Sequence, residues 1–354
     1  MKEDISRFAA SALFLVAATL AQAADPIYSV TELKDFARAT DINNQGDIVG
    51  WQHPGKGILL RSGQSQVQYI GSLGGGFTYP RAVNDYAQVV GESMLVDNAT
   101  YHAFLYSDGQ LRDLGTLKGH VESRANDINI KGQVVGWSKS GSLTLPFIYS
   151  NGRMAAIEAI GGLSAEATAI NDRGQAVGNA EFVESDGVPA TVTRPFRYSS
   201  QSILGLPGLG GNNAEAHGIN SNGWVVGTAE PILDNPITHA FVWGDAIGGV
   251  VTDLGTLDGY PNSVAKGVNK NGQIIGYSFA ANDSPQSRRA FIYLSGWMFD
   301  LNGRLATTRW LIREAIAIND NGQIIAEGCD TTQGRCGLAL LLNPITTTKP
   351  PRRR

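Results

Sequence analysis

The chain has 354 residues, which is enough for one large core or two ordinary ones, so length alone does not decide the number of domains. Its 43 glycines, 17% charged residues and formal net charge of −4 are typical of a soluble, turn-rich protein. This composition argues against a nucleic-acid-binding protein, which needs a basic face.

The first 23 residues have the pattern of a secretory signal peptide. Lys2 and Arg7 precede the apolar run 8–20, and the small residues of AQA at 21–23 follow it. A membrane anchor is the alternative, but these 13 apolar residues are fewer than the roughly 20 that span a bilayer. We therefore expect cleavage near Ala23, export to the periplasm or the cell exterior, and no membrane span in the mature chain.

A phrase of the form INxxGxxVG recurs along the mature chain. Copies aligned on their asparagine are separated by 41 to 50 residues, which matches a four-stranded propeller blade better than any helical repeat. The aligned asparagines are Asn43, Asn84, Asn129, Asn171, Asn220, Asn269 and Asn319.

Each copy of the phrase predicts a β-hairpin. Apolar and β-branched segments flank an Asn-x-x-Gly turn, in which asparagine tolerates the local hydrogen bonding and glycine adopts a positive φ. Ala87 replaces the glycine in the second copy, so we expect that turn to be strained or built differently.

A second phrase supplies two more strands per copy. It is fullest at His102–Leu117 and His239–Leu257, where a turn separates two strand-like segments. Tyr28–Leu33 resembles a fourth strand without its blade, and the segment around Leu338–Leu342 resembles a third strand without a fourth. Pairing these two would close a ring and remove its exposed edges. The sequence thus predicts an all-β, seven-bladed propeller over residues 24–344; a solenoid or two β-sandwiches are the alternatives.

Two further segments lie near the carboxyl end. Cys329 and Cys336 are close in sequence, and in an exported protein they favour a disulfide over two unrelated buried thiols. Residues 345–354 have no core-forming pattern and contain several basic residues, so we expect a solvated, disordered tail.

These phrases resemble the HAF-repeat family of probable extracellular repeat proteins. His-Ala-Phe occurs at 102–104 and 239–241, each followed by DLGTL, at 113–117 and 253–257. The resemblance covers essentially the whole mature chain. It implies an exported β-repeat protein and no settled biochemical activity.

Residues typical of catalytic or metal chemistry do not form recognisable motifs. His102 and His239 hold equivalent positions in different repeats, so we expect them to cap strands rather than to meet at one metal. The chain has no GxSxG nucleophile motif, and its glycine-rich segments precede strands rather than helices. We therefore expect neither a catalytic residue of a known motif nor a cofactor.

The residues three and five positions before each asparagine should surround the mouth of the axial channel. This mouth lies on the face that carries the longer and more diverse loops, where scaffolds place binding. Arginines come from the first three blades and glutamates from the fourth, fifth and seventh, so we expect an electrically divided mouth whose acidic side is interrupted by Lys266. The candidate binding residues are Arg38, Tyr79, Arg81, Arg124, Glu166, Glu215, His217, Lys266 and Glu314.

The sequence favours a monomeric binding or scaffolding module over an enzyme. A divided mouth suits a polar or zwitterionic ligand, such as a polar glycan, a peptide or a surface protein. The alternative is a polysaccharide hydrolase or lyase, because Glu166 and Glu215 come from neighbouring blades and paired carboxylates can cleave glycosidic bonds.

Overall fold

The computed structural model describes residues 26–157, 164–183, 191–233, 235–245, 248–281 and 283–345. The predicted signal segment and all but the first residue of the predicted tail lie outside the described residues. Within them, 28 strands form seven four-stranded antiparallel sheets. The order of strands follows the chain in six sheets, and in the seventh the first strand of the chain lies beside the last. The prediction of a seven-bladed β-propeller is confirmed.

The first four blades contain the following strands. Blade 1 consists of β2 (Arg38–Ile42), β3 (Ile48–Gln52), β4 (Lys56–Leu60) and β5 (Gln68–Tyr69). Blade 2 consists of β6 (Gly74–Val83), β7 (Val89–Leu95), β8 (Tyr101–Ser107) and β9 (Gln110–Gly115). Blade 3 consists of β10 (Glu122–Ile128), β11 (Val134–Ser140), β12 (Leu143–Ser150) and β13 (Arg153–Ala156). Blade 4 consists of β14 (Ala165–Ile170), β15 (Ala176–Val183), β16 (Thr191–Ser199) and β17 (Ser202–Gly205).

The remaining blades complete the ring. Blade 5 consists of β18 (Ala214–Ile219), β19 (Val225–Ala229), β20 (His239–Trp243) and β21 (Thr252–Gly255). Blade 6 consists of β22 (Asn262–Val268), β23 (Ile274–Phe279), β24 (Arg288–Leu294) and β25 (Trp297–Asp300). A 3-10 turn, Leu301–Arg304, leads to blade 7, which consists of β26 (Trp310–Ile318), β27 (Ile324–Asp330), β28 (Arg335–Ile345) and β1 (Ile27–Glu32). The first strand of each blade contacts the first strand of the next, and β26 returns to β2, so these seven strands surround the axis.

The amino-terminal strand closes the ring as predicted. β1 pairs antiparallel with β28 from Ile27 opposite Ile345 to Glu32 opposite Leu340. Tyr28 is fully buried and belongs to the same hydrophobic cluster as Trp310 and Leu340. Blade 7 therefore depends on residues from both ends of the described chain.

The recurring asparagine holds neighbouring blades together as well as shaping its own turn. All seven asparagines are buried, with 2–5% exposure. The Nδ2 group of each donates to the backbone carbonyl of the asparagine in the next blade at 2.8–3.1 Å, and Asn319 completes the circle by donating to Asn43. We call this set of seven residues the asparagine ring. Its geometry explains why the phrase recurs: the asparagine contributes a turn and an inter-blade contact at once.

The turn of the second copy keeps this geometry without its glycine. Ala87 has a φ of 57°, in the left-handed region that glycine adopts in the other copies. Its backbone N–H still donates to the Asn84 carbonyl at 2.9 Å, as in the other turns. The turn therefore has the same construction as the other six and is strained at Ala87.

The two cysteines form a disulfide within the β27–β28 hairpin of blade 7. Cys329 on β27 lies opposite Cys336 on β28, with the sulfur atoms 2.09 Å apart. In the chain-entropy account, closing so short a loop contributes about 2–3 kcal/mol to the free energy of unfolding. We therefore expect mass spectrometry of the unreduced exported protein to show no free thiol, and reduction to lower the unfolding midpoint. Two free thiols in that sample would contradict this assignment.

Candidate functional site

A β-bulge in every innermost strand builds the candidate site. The glycine that ends the phrase in six of the seven copies, where the seventh has Ala326, allows the neighbouring backbone to approach closely. A Cβ on Gly136 would lie 1.9 Å from the carbonyl oxygen of Arg124, and one on Gly227 would lie 1.8 Å from that of Glu215. Two positions further along the inner strand, the pairing skips one residue in each of the seven blades. Bulges commonly re-aim a side chain. The skipped residues are Thr40, Arg81, Asn126, Thr168, His217, Lys266 and Ile316.

All seven bulge residues line one axial cavity of about 540 Å³. This cavity, which we call the axial mouth, lies at the opposite end of the inner strands from the asparagine ring. Seven of the nine predicted site residues line it: Arg38, Arg81, Arg124, Glu166, His217, Lys266 and Glu314.

The two other predicted residues do not line the axial mouth. The Tyr79 ring packs edge-on against Trp51, with centroids 5.3 Å apart, and lies 6.3 Å from the Tyr101 ring. Trp51 itself lines the mouth, although the sequence analysis did not select it. Glu215 lies in a second cavity of about 360 Å³ beside blades 3 to 5, which it shares with Glu166. Glu166 therefore lies on the wall between the two cavities.

A buried acid pairs with two of the three arginines that line the axial mouth. Glu92 on β7 has 6% exposure and accepts hydrogen bonds from Arg81 at 2.8 Å and Arg124 at 2.7 Å. The Arg124 guanidinium also lies over the Trp137 ring, 5.0 Å from its centroid. Glu92 was not predicted from the sequence. Its position in the sequence could have indicated this role, because Glu92 directly follows the VVG segment of blade 2. Blades 1 and 3 have Trp51 and Trp137 at the equivalent position.

Glu314 on the acidic side is also paired. It is buried and accepts a hydrogen bond from Arg288 at 2.6 Å, and it lies 3.8 Å from Arg38. Arg288 is further bound to Asp283, and its guanidinium lies 4.3 Å from the Tyr277 ring centroid. The expected division of charge by blade is present, but these counter-ions leave little of it unpaired.

Two charged residues of the axial mouth remain without ionic partners. Within the described ranges, neither Glu166 nor Lys266 forms an ion pair or a side-chain hydrogen bond. Burial raises the pKa of the Glu166 carboxyl, and Glu215 raises it further while Arg124 opposes the shift. Burial also lowers the pKa of the Lys266 amine, against the opposing effect of Glu314. Such desolvated and uncompensated groups are commonly found at functional sites.

His217 connects the axial mouth with the second cavity. Its Nδ1 lies 2.9 Å from the Ala265 carbonyl oxygen, which can only accept, so this nitrogen carries a proton. Its Nε2 lies 3.4 Å from Glu215 Oε2 and, because Nδ1 is already protonated, donates to that carboxylate only when the ring is an imidazolium. This hydrogen bond is the main cause that lowers the pKa of Glu215. Glu166 and Glu215 share a cavity, yet their surroundings shift the two pKa values in opposite directions.

The raised pKa of Glu166 predicts a pH-dependent effect of its amide replacement. A carboxyl whose pKa is higher in the folded state binds more protons folded than unfolded, so its contribution to stability is lost as pH rises through the folded pKa. Glu166→Gln removes this charge. We expect it to raise the unfolding midpoint at pH 8 and to have no such effect below the ordinary glutamate range. Glu122→Gln, on an adjacent blade, is the comparison; equal effects of both changes at pH 8 would contradict the assigned shift.

The repeated histidines belong to separate blades and do not meet. His102 Nδ1 lies 2.9 Å from Asp113 Oδ2 in blade 2, and His239 Nδ1 lies 2.8 Å from Asp253 Oδ2 in blade 5. Each pair joins the third and fourth strands of its blade, which links the HAF phrase to the DLGTL phrase. In the described part of the chain, no group of three or more His, Cys, Asp or Glu side chains is arranged to hold a metal ion.

No helix among the described residues is long and apolar enough to cross a membrane. No family model matches the sequence, and no curated protein matches it.

Solved structures of propeller domains resemble this fold. The β-propeller domain of the trilobed protease from Pyrococcus furiosus is 12% identical, with a TM-score of 0.57 over 89% of this chain and 100% of that chain. That domain has an open velcro topology, whereas β1 closes the present ring. An acylaminoacyl peptidase from Pyrococcus horikoshii is 10% identical, with a TM-score of 0.54 over 92% of this chain and 53% of that chain. TolB from Acinetobacter baumannii is 11% identical, with a TM-score of 0.45 over 90% of this chain and 63% of that chain.

The comparisons with the two Pyrococcus proteins show the fold alone, because the identities are only 10% and 12%. The chain spans about half to two thirds of the length of the acylaminoacyl peptidase and TolB chains. Function must therefore be argued from the site of this protein.

Proposed function

We propose that the protein is an exported, non-catalytic binding module whose axial mouth takes a ligand with both anionic and cationic or hydrogen-bond-donating groups. The observation that carries this proposal is the unpaired state of Glu166 and Lys266 in one cavity. Of the other charged groups of the mouth, Arg81, Arg124 and Glu314 have close ion-pair partners, and Arg38 has only longer contacts, at 3.6–3.8 Å. A ligand would therefore meet these two groups as the uncompensated charges of the mouth.

A ligand of this kind would relieve a cost that the free protein bears. An ionised group withdrawn from water without a partner is unfavourable, and an opposite charge or a hydrogen bond offsets that cost. An anionic group fits Lys266, and a cationic or protonated group fits Glu166. Half-buried Trp51 adds an aromatic surface to the same cavity. A short peptide and a polar glycan both have this chemistry, and a polyanion does not.

The proposed export rests on the signal-like segment and on the Cys329–Cys336 disulfide, since disulfides persist in oxidising compartments. We also propose that the chain is a member of the HAF-repeat family. Two kinds of contact support this proposal. The asparagine of the INxxGxxVG phrase bonds to the next blade, and the histidine of the HAF phrase pairs with the aspartate of DLGTL.

A glycan and peptide array probed with the mature protein tests the binding proposal. We expect hits among zwitterionic or mixed-charge ligands, and the double variant Glu166→Gln, Lys266→Gln should lose them. Tyr86→Ser is the matched control, because Tyr86 is 70% exposed in a turn on the opposite face. Binding that survives the double variant, or that is lost in the control, would contradict the placement of the site.

A second candidate function is cleavage of a polysaccharide, which is favoured by the opposite pKa shifts of Glu166 and Glu215 in one cavity. A protonated carboxyl beside an ionised one is the arrangement that glycosidases and related enzymes use. Turnover of an array-selected glycan that disappears in Glu215→Gln would support this candidate. Binding without turnover by the unaltered protein would exclude it for that glycan.

A further inference from the structure

Lys266 differs from the exposed lysines of the chain in being enclosed, unpaired and accessible from a cavity. It is the bulge residue of β22, so it has no partner residue on β23, and it lines the axial mouth. Its nearest acid, Glu314, is already bound to Arg288 at 2.6 Å. Lys270, by comparison, is a partly exposed lysine that pairs with Asp320 at 3.5 Å.

Burial lowers the pKa of the Lys266 amine, so a larger fraction of this amine is neutral than of an exposed lysine. Arg38 on β2 and Arg288 on β24 are cations that disfavour a further positive charge, and Glu314 on β26 and Glu215 on β18 oppose them. His217 on β18 also lines this cavity. Burial is the largest cause of the lowered Lys266 pKa. A neutral amine is a nucleophile, and desolvation beside another cation is a recognised way to activate a lysine.

Arg38 supplies a complementary group in the same cavity. Its ion-pair contacts are long, 3.8 Å to Glu314 and 3.6 Å to Glu327, and its side chain is 40% exposed. Its guanidinium donates no side-chain hydrogen bond to another described residue. Arginine binds carboxylates through paired N–H donors. A small molecule held by Arg38 through a carboxylate could therefore present a neighbouring carbonyl carbon to Lys266.

We propose that the axial mouth captures small 2-oxo acids covalently, through an imine on Lys266. The Lys266 nitrogen adds to the carbonyl carbon to give a carbinolamine, in which the carbonyl oxygen has become a hydroxyl. The carbon–oxygen bond then breaks, and the oxygen leaves as water together with the two protons that the neutral amine brought. The product holds the 2-oxo acid through a carbon–nitrogen double bond, and no oxidant or reductant takes part. This inference concerns the same cavity as the proposed function, but it does not depend on a peptide or glycan ligand.

Reductive trapping tests the proposal. The folded mature protein is incubated at pH 7 with pyruvate and cyanoborohydride, which adds hydride to the imine carbon, and labelling of each lysine is followed by peptide mass spectrometry. A lower pKa enlarges the neutral fraction of an amine near neutral pH. We therefore expect Lys266 to label faster than the exposed lysines Lys118, Lys131 and Lys139, by more than the spread among those three.

Three comparisons make the outcome specific. We call the labelling of Lys266 relative to that of the exposed lysines its enrichment. Acetone, which lacks the carboxylate, should give a smaller enrichment than pyruvate. Arg38→Gln should lower the enrichment with pyruvate to the value found with acetone. Protein unfolded in urea should lose the enrichment altogether. Equal labelling of Lys266 and the exposed lysines in folded protein would overturn the proposal, and equal enrichment by pyruvate and acetone would overturn the assignment to 2-oxo acids. Array binding without Lys266 enrichment would leave the proposed function standing and overturn this inference alone.

Discussion

Deletion of residues 24–34 is expected to open blade 7 and to cause aggregation or a large loss of stability. β1 supplies the fourth strand of that blade, and its removal would expose the edge of β28. The change also removes Tyr28, which is fully buried against Trp310 and Leu340. Size-exclusion chromatography and thermal unfolding measure the effect. Removal of residues 346–354 is the control, and a monomeric 24–34 deletion that melts like the full protein would contradict ring closure.

A pair of substitutions at Tyr28 separates packing from polarity. Tyr28→Ala should lower the free energy of unfolding by about 3–5 kcal/mol, the usual cost of truncating a buried aromatic side chain. The Tyr28 hydroxyl, however, is buried without a hydrogen-bond partner among the described residues, and burial raises its pKa to about 12. Tyr28→Phe removes this unsatisfied group and should leave stability unchanged or raise it by about 1 kcal/mol. Equal destabilisation by both changes would contradict the packing seen around β1.

Loss of one asparagine from the asparagine ring should have an effect of similar size. The Asn171 Nδ2 group donates to the Asn220 carbonyl and to Gln175 Oε1, both at 2.9 Å, and Oδ1 accepts from two N–H groups of its own turn. Asn171→Ala leaves several buried polar groups unsatisfied, at about 1–3 kcal/mol each. We expect urea unfolding to show a loss of about 3 kcal/mol or more.

The matched control for Asn171 lies in the equivalent turn of another blade. The Asn271 side chain is exposed and donates one hydrogen bond, at 3.1 Å, to the Asp320 carbonyl. Asn271→Ala should change stability by no more than about 0.5 kcal/mol. If Asn171→Ala were as mild as Asn271→Ala, the asparagine ring would not be a major source of inter-blade stability.

The fold was predictable from the sequence because its determinants are local and repeated. The Asn-x-x-Gly turn requires particular residues at fixed spacing. Six copies of it, with a seventh in which Ala87 replaces the glycine, define seven blades. Closure by Tyr28–Leu33 was predictable because each end of the chain showed part of one blade. The contact between asparagines of neighbouring blades was not predicted, since its partner lies 41 to 50 residues away, or 276 at the closing contact, and is a backbone carbonyl.

The candidate site was predictable only in outline. Counting back from each asparagine located the axial mouth correctly for Arg38, Lys266 and Glu166, because all blades share one bulge. The counter-ions Glu92 and Arg288 lie on second and third strands, and whether they reach the mouth depends on packing between blades. This pairing also changes the choice of test residues. Arg124→Ala would leave Glu92 with one partner, so it would probe stability as well as binding.

The affinity of the mature protein for a zwitterionic ligand selected on the arrays, measured by isothermal titration calorimetry, tests the central claim most directly. A hydrogen bond to a charged group contributes about 1.5–3 kcal/mol, and 1.4 kcal/mol corresponds to a tenfold change in Kd. Lys266→Gln and Glu166→Gln should therefore each weaken binding about tenfold or more. The unfolding midpoint of each variant should be unchanged or higher at the pH of the titration, because each change removes a desolvated charge. Tyr86→Ser should bind like the unaltered protein. Unchanged affinity in both mouth variants would show that the ligand binds elsewhere on the propeller.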